Sequence, residues 1–204
     1  MAKMMTETTR LNLHAKSIEN IEAIRCKINE IIKLYNTGKY PIKLLQFDMF
    51  VSMTMSDSFV LVKQYTAADQ RWEEIFIAEQ IYIKMNESLK KLIGFHKDGD
   101  RKSYWIKIMG SYVQNHKELL EEYDTIKKEL IQYAKNEELQ CYIKSYRNYA
   151  IHGNEDLDSL KLFKEINEIN IDYTFKLFTQ WAEFLKSISA FISSCYKNEV
   201  EKLK

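Results

Sequence analysis

Apolar residues recur three or four positions apart along most of the chain, which is the spacing of one face of an α-helix. Residues 1–16 lack this periodicity and are predicted to form an N-terminal arm, with Ser17 as the N-cap of the first helix. Residues 17–204 are then expected to form a single domain. The periodic segments predict helices at about 17–37, 42–68, 70–93, 117–135, 138–152, 158–168 and 172–202. A further segment is predicted to begin at a capping Ser103.

The 42–68 segment is apolar on most of its faces, so it is expected to lie at the centre of the fold. Phe47, Val51 and Phe59 should then be shielded from solvent. Asp48 and Asp57 interrupt this segment, and a buried carboxylate needs a partner. We expect both on one solvated strip of the helix, although either carboxylate could instead pair with a cationic site residue.

Composition agrees with a helical fold. The 204 residues include one proline and five glycines, and 46% are hydrophobic. These values favour long helices and a substantial core, so the predicted fold class is all-α, a single bundle of about five to seven helices. A net charge of +1 excludes the strong positive field of a nonspecific nucleic-acid binder. An RNA ligand would need a local basic patch.

The composition also bears on location. No uncharged run approaches the length of a membrane span, and the first residues lack the apolar core of a signal peptide. Three widely spaced cysteines, Cys26, Cys141 and Cys195, predict neither a disulfide framework nor a zinc site. A cytoplasmic protein is therefore expected.

Candidate chemistry concentrates in residues 147–152, with the sequence Arg-Asn-Tyr-Ala-Ile-His. Arg147 carries a planar, permanent cation that can hold a phosphate through two hydrogen bonds. His152 can move a proton near neutral pH. Asn148 could orient His152 or bind phosphate. Gly153 and Asn154 supply a helix stop after the histidine.

Arg147, Asn148 and His152, with four residues between the arginine and the histidine, resemble the signature of the HEPN family. The resemblance implies a HEPN-like helical bundle that acts as a metal-independent endoribonuclease without a cofactor. His152 would deprotonate a ribose 2′-OH and Arg147 would stabilise the phosphate. It also implies a homodimer whose two motifs meet at a shared cleft. A toxin–antitoxin or antiphage setting, with a cognate antitoxin or regulatory protein as partner, follows from the same resemblance.

The residues around the motif complete the predicted site. Tyr146, Tyr149 and Asn154 are the expected substrate-binding residues, since aromatic rings can stack on bases. Ordinary helix packing is the alternative role for the two tyrosines. One common form of the family motif has a tyrosine two positions after the histidine, where this chain has Asn154.

Two other interpretations stay open. A HEPN-like module without catalysis could bind RNA, nucleotide or a partner protein. Alternatively, Arg147 is a surface cation and His152 a favourable charge at a helix C-terminus. Metal chemistry is disfavoured, because no histidine is preceded by glutamate at the spacing of di-iron bundles and the Asp98-Gly99-Asp100 loop lacks further calcium ligands.

Overall fold

The computed structural model describes residues 7–94, 103–137, 139–141 and 170–202. These residues form helices joined by short turns, with no strand among them. The predicted all-α bundle is therefore confirmed. The α-helices are α1 (Glu7–Thr37), α2 (Ile42–Ala67), α3 (Arg71–Ile93), α4 (Gly110–Val113), α5 (Leu120–Ala134) and α6 (Ile171–Lys202). A π-helical turn, Tyr104–Met109, leads into α4, and a 3₁₀ turn, Lys117–Leu119, leads into α5.

Helix α2 lies at the centre of the bundle, where it contacts α1, α3, α6 and the π-helical turn. The apolar character of α2 predicted that Phe47, Val51 and Phe59 would be shielded from solvent. Phe47 and Val51 are fully buried, and Phe59 is half-buried. Met53 and Val60 on the same helix are exposed. An almost continuous apolar surface therefore predicted the position of α2 correctly, but one of its faces stays open to solvent.

The start of α1 corrects the prediction for the N-terminal residues. The helix begins at Glu7, so residues 7–16 are not an arm. Ser17 is not an N-cap either. It is buried within the helix, and its hydroxyl donates to the Leu13 carbonyl at 2.7 Å.

Polar contacts hold these first turns of α1 against the end of α2. The Arg10 guanidinium donates to the Ala68 carbonyl at 2.5 Å and to the Tyr65 carbonyl at 3.3 Å. The His14 ring forms a hydrogen bond with the Thr66 hydroxyl at 2.9 Å. Arg10 is thereby a second donor to the Tyr65 carbonyl, which also accepts from the Ala68 amide at 3.2 Å, and it supplies a donor to the Ala68 carbonyl just past the end of α2. Apolar periodicity does not report such contacts, which is why the sequence prediction missed these turns.

Aromatic packing joins the π-helical turn to the rest of the core. The Trp105 ring is fully buried and stacks on Tyr123 of α5, with centroids 5.2 Å apart. It also packs against Phe47 of α2 and Phe191 of α6 at 5.9 and 5.3 Å. The predicted apolar stripe of α6 faces the same core, with Trp181, Leu185, Ile188, Phe191, Ile192 and Cys195 fully buried.

Two predicted helix boundaries are confirmed by their backbone geometry. Gly94 ends α3 with φ 93° and ψ 170°, a conformation that residues with a Cβ rarely adopt. Ser103 caps the π-helical turn, because its hydroxyl accepts a hydrogen bond from the Ile106 amide at 2.8 Å. The same hydroxyl donates to the Leu92 carbonyl at 2.5 Å, which joins this cap to the end of α3.

Candidate functional site

The predicted catalytic and substrate-binding residues lie outside the described part of the chain. They are Arg147, Asn148, His152, Tyr146, Tyr149 and Asn154. The structure describes the chain up to Cys141 and again from Asn170. The segment that carries the motif, residues 142–169, lies between these points. The described residues on either side of it can be examined in atomic detail.

The chain enters the segment through a capped helix start. Helix α5 ends at Ala134, and the Asn136 side-chain oxygen then accepts a hydrogen bond from the Leu139 amide at 3.0 Å. The Asn136 carbonyl accepts from the Gln140 amide at 2.9 Å, and the Gln140 side chain donates to the Ala134 carbonyl at 2.8 Å. Leu139 is fully buried, and residues 139–141 are helical. The predicted interruption near Asn136 is thus the N-cap of a new helical turn.

The chain leaves the segment through a second asparagine cap. The Asn170 side-chain oxygen accepts from the Tyr173 amide at 3.0 Å, and its carbonyl accepts from the Thr174 amide at 3.0 Å. The buried Thr174 hydroxyl also forms a 2.9 Å hydrogen bond with the Tyr82 hydroxyl of α3. Both ends of the motif-bearing segment are consequently fixed to the helical core.

The cap at Asn136 lies beside a groove between α5 and α6. This groove encloses about 510 Å³ and is lined by Glu129, Gln132, Tyr133, Asn136, Thr179, Gln180, Glu183, Phe184 and Ser187. A neighbouring groove of about 580 Å³ shares Gln132 and Asn136 with it and adds Lys128, Ile131 and Lys135. The Tyr133 hydroxyl donates across the helix pair to the Leu177 carbonyl at 3.0 Å. Burial raises the pKa of Tyr133, so this hydroxyl keeps its proton.

The electrostatics of this region are mixed. Lys128 and Lys135 could attract a phosphate, whereas Glu129 and Glu183 would repel one. Amide groups such as Gln132 offer both donors and acceptors for a ribose hydroxyl or a base edge. The region therefore offers hydrogen bonds and two local cations, without a broad positive field.

The two aspartates of α2 have different environments. Asp57 is exposed and pairs with Lys84 of α3, as expected of a solvated strip. Asp48 is 1% exposed, so the prediction of a solvated position is wrong for it. Lys27 of α1 is the reason, because its ammonium lies 2.7 Å from Asp48 Oδ1 and neutralises the buried charge.

Further polar groups surround the Lys27–Asp48 pair. The Ser52 hydroxyl donates to Asp48 Oδ1 at 3.4 Å, and Lys27 also donates to the Ser189 hydroxyl of α6 at 2.9 Å. Burial and the Asp48 charge together raise the pKa of Tyr196. Neither the Tyr196 hydroxyl nor Asp48 Oδ2 makes a hydrogen bond of normal geometry with a described residue.

A cluster around His116 was not visible in the sequence, because its members come from distant segments. The buried His116 ring stacks on Tyr112, with centroids 4.1 Å apart. Its ring nitrogens lie 3.4 Å from Glu118 and from Glu199, and Lys202 lies 3.1 Å from Nε2. The Tyr112 hydroxyl donates to Glu199 at 2.8 Å. Burial, and to a smaller extent this hydrogen bond to the Glu199 carboxylate, raises the pKa of Tyr112. These mutual contacts join the end of α6 to the turn before α5.

The described residues also bear on metal sites and membrane spans. No group of three or more His, Cys, Asp or Glu side chains there is placed to hold a metal ion. None of the described helices combines the length and apolarity needed to cross a membrane.

Comparison with known proteins returned no match to this chain among family models, curated proteins or solved structures.

Proposed function

We propose that this protein is a metal-independent endoribonuclease of the HEPN type. The observation that carries the proposal is the sequence Arg147-Asn148 followed by His152, placed late in a chain whose described residues form helices. The permanent cation can stabilise a phosphate and the titratable imidazole can accept the proton of a ribose 2′-OH, so each motif supplies two of the groups that this cleavage requires.

The anchoring of the motif-bearing segment supports this proposal. A catalytic constellation must be held close to its productive geometry by rigid surroundings. Asn136 and Asn170 cap the helices at the two ends of the segment, and Leu139 is buried. Residues 139–141, which belong to the predicted 138–152 helix, are helical.

The proposed reaction is an internal phosphoryl transfer. His152 removes the proton from a ribose 2′-OH, and that oxygen attacks the adjacent phosphorus. The bond from phosphorus to the 5′-oxygen breaks, and the leaving oxygen takes a proton from the partner's His152 in the proposed homodimer, which leaves a 2′,3′-cyclic phosphate and a 5′-OH end. Arg147 stabilises the charge that develops on the phosphate oxygens, and Asn148 orients His152 or binds phosphate. DNA lacks the nucleophile and is not a substrate.

The decisive experiment is incubation of the purified protein with total RNA in EDTA. The wild type should cleave, and an Arg147→Ala, His152→Ala double variant should not. An Arg25→Ala variant removes an exposed arginine of α1 that pairs with Glu22, and it should cleave like the wild type. The new 3′ ends should be cyclic phosphates.

Other outcomes of this experiment are informative. Cleavage that needs Mg²⁺, or that persists in the motif variant, would contradict the proposal. RNA or nucleotide binding without cleavage would instead identify a non-catalytic HEPN-like module. A toxin–antitoxin or antiphage role further requires that expression of the wild type, but not of the motif variant, arrest growth.

A further inference from the structure

An apolar groove of about 600 Å³ lies between α1, α2 and α3, on elements that contribute none of the predicted site residues. Met49, Phe50 and Met53 of α2 line it, opposite Ile32 and Tyr35 of α1. Phe50 is backed by Tyr104 of the π-helical turn, with the rings stacked at 4.9 Å.

The groove leaves large apolar side chains in solvent. Ile32, Tyr35 and Met53 are 45%, 58% and 55% exposed. Exposed apolar area is unfavourable by about 25 cal/mol per Å², so a partner that covers these side chains would gain binding free energy. Methionine side chains adapt to varied apolar partners, and two of them line this groove.

The charges of the groove are mainly positive. Lys84 and Lys91 of α3 line it together with one acid, Asp57. Lys84 pairs with Asp57, whereas Lys91 is exposed and forms no ion pair with a described residue. The Lys91 ammonium lies 5.7 Å from the centre of the Phe50 ring. The two lysines are seven residues apart, about 10 Å along α3.

We propose that this groove binds an amphipathic helix of a partner protein, with acidic residues beside its apolar stripe. Neighbouring helices that supply apolar side chains at helical spacing, as Met49 and Met53 do, are the usual receptor for such a helix. A carboxylate beside the ligand's apolar stripe would reach Lys91, whereas Lys84 already pairs with Asp57.

The charge also disfavours a second copy of this chain as the occupant. A two-fold interface places the same patch on both sides. Two copies would bring four lysines against two aspartates, which leaves Lys91 of each copy without a counter-charge. This inference does not rest on the proposed ribonuclease activity, since the groove involves only α1–α3 and the π-helical turn.

The test uses two synthetic helical peptides of about 20 residues with the same leucine stripe. One carries glutamates beside the stripe and the other carries lysines at the same positions. Fluorescence anisotropy with the full chain should show the glutamate peptide binding at least about tenfold more tightly. Lys91→Glu should weaken the glutamate peptide about five- to tenfold and strengthen the lysine peptide.

A matched control separates groove contacts from general charge effects. Lys90→Glu makes the same change one residue earlier in the last turn of α3, but Lys90 pairs with Glu87 and does not line the groove. It should leave both affinities within about twofold. Equal binding of the two peptides, equal effects of the two variants, or no binding of either peptide would overturn the proposal. Self-association of the wild type that Met53→Asp abolishes would assign the groove to a second copy instead, and would also overturn it.

Discussion

At the scale of single residues, the buried pair between Asp48 and Lys27 shows how one contact decides where a charge can lie. Asp48 is inaccessible to solvent, while the Lys27 side chain keeps 30% of its surface exposed. The lysine can thus remain partly hydrated while it neutralises the carboxylate, which lowers the cost of burying the pair.

Lys27→Met should therefore destabilise the protein by about 2–3 kcal/mol, because it leaves Asp48 buried without a counter-charge. Adding Asp48→Asn should restore part of the loss, since no charge then stays buried. Lys186→Met breaks an exposed ion pair with Glu183 and should cost less than about 0.5 kcal/mol. Urea denaturation measures all three variants. Equal effects of Lys27→Met and Lys186→Met would show that the Asp48 charge finds another partner.

The proposed chemistry makes a second prediction at this scale. His152→Ala should reduce RNA cleavage by about 10²–10⁴-fold, because it removes the proton acceptor. Arg147→Ala should cost about 10²–10³-fold, and Arg147→Lys should also be poor because an ammonium cannot form the bidentate contact. Single-turnover cleavage assays with circular dichroism as the folding control provide the measurement. A folded His152→Ala variant with wild-type activity would exclude this histidine as the base.

The three cysteines should differ in reactivity. Burial raises the pKa of the Cys195 thiol to about 12, from an ordinary value of 9.0, whereas Cys26 and Cys141 are exposed. At pH 8 a disulfide reagent such as DTNB should modify two thiols rapidly, and the third only after denaturation. Because the folded-state pKa is raised, the stability that the neutral Cys195 thiol contributes is complete below pH 9 and is lost as pH rises toward 12. Rapid modification of all three thiols in the native protein would mean that α6 opens locally.

At the scale of elements, helices could be predicted wherever apolar contacts hold them, and less well where polar contacts do. The apolar stripe of α6 and the stop at Gly94 were both readable from sequence. The first turns of α1 were not, because Arg10 and His14 attach them to the end of α2 by hydrogen bonds. Likewise, nothing local distinguished Asp48 from Asp57, since the partner of each lies on another helix.

The Asn136 cap gives a prediction for the element that leads into the motif. Asn136→Ala should destabilise the protein by about 1 kcal/mol, because the Leu139 amide loses its acceptor. Asn136→Asp keeps a side-chain acceptor and should be close to the wild type in thermal unfolding. If the cap also positions the proposed catalytic residues, cleavage by Asn136→Ala should fall at a temperature where the variant is fully folded. Unchanged cleavage would limit Asn136 to a structural role.

At the scale of the whole molecule, the described helices form a common core. The candidate site lies in residues 142–169, so its geometry depends on how that segment packs against this core. The described ends of that segment are fixed by Asn136 and Asn170. The proposed motif could be picked out from sequence, because it consists of neighbouring residues with a defined chemistry. Its arrangement in space could not be, since that depends on contacts between distant segments and, as proposed, between two chains.

The proposed homodimer can be tested through activity. Cleavage needs a base for the 2′-OH and an acid for the leaving oxygen, and one chain offers a single histidine in the motif. In the proposed homodimer, the second chain supplies the acid that the first chain lacks. A dimer of one wild-type chain and one Arg147→Ala, His152→Ala chain would then lack half of the groups in its site. After subunits exchange, a fourfold excess of the variant should leave about one-fifth of the wild-type chains in fully wild-type dimers, and activity should fall to that level. The Arg25→Ala variant is the control and should not inhibit. Light scattering that shows only monomers, together with undiminished activity in the mixture, would place a complete site within one chain.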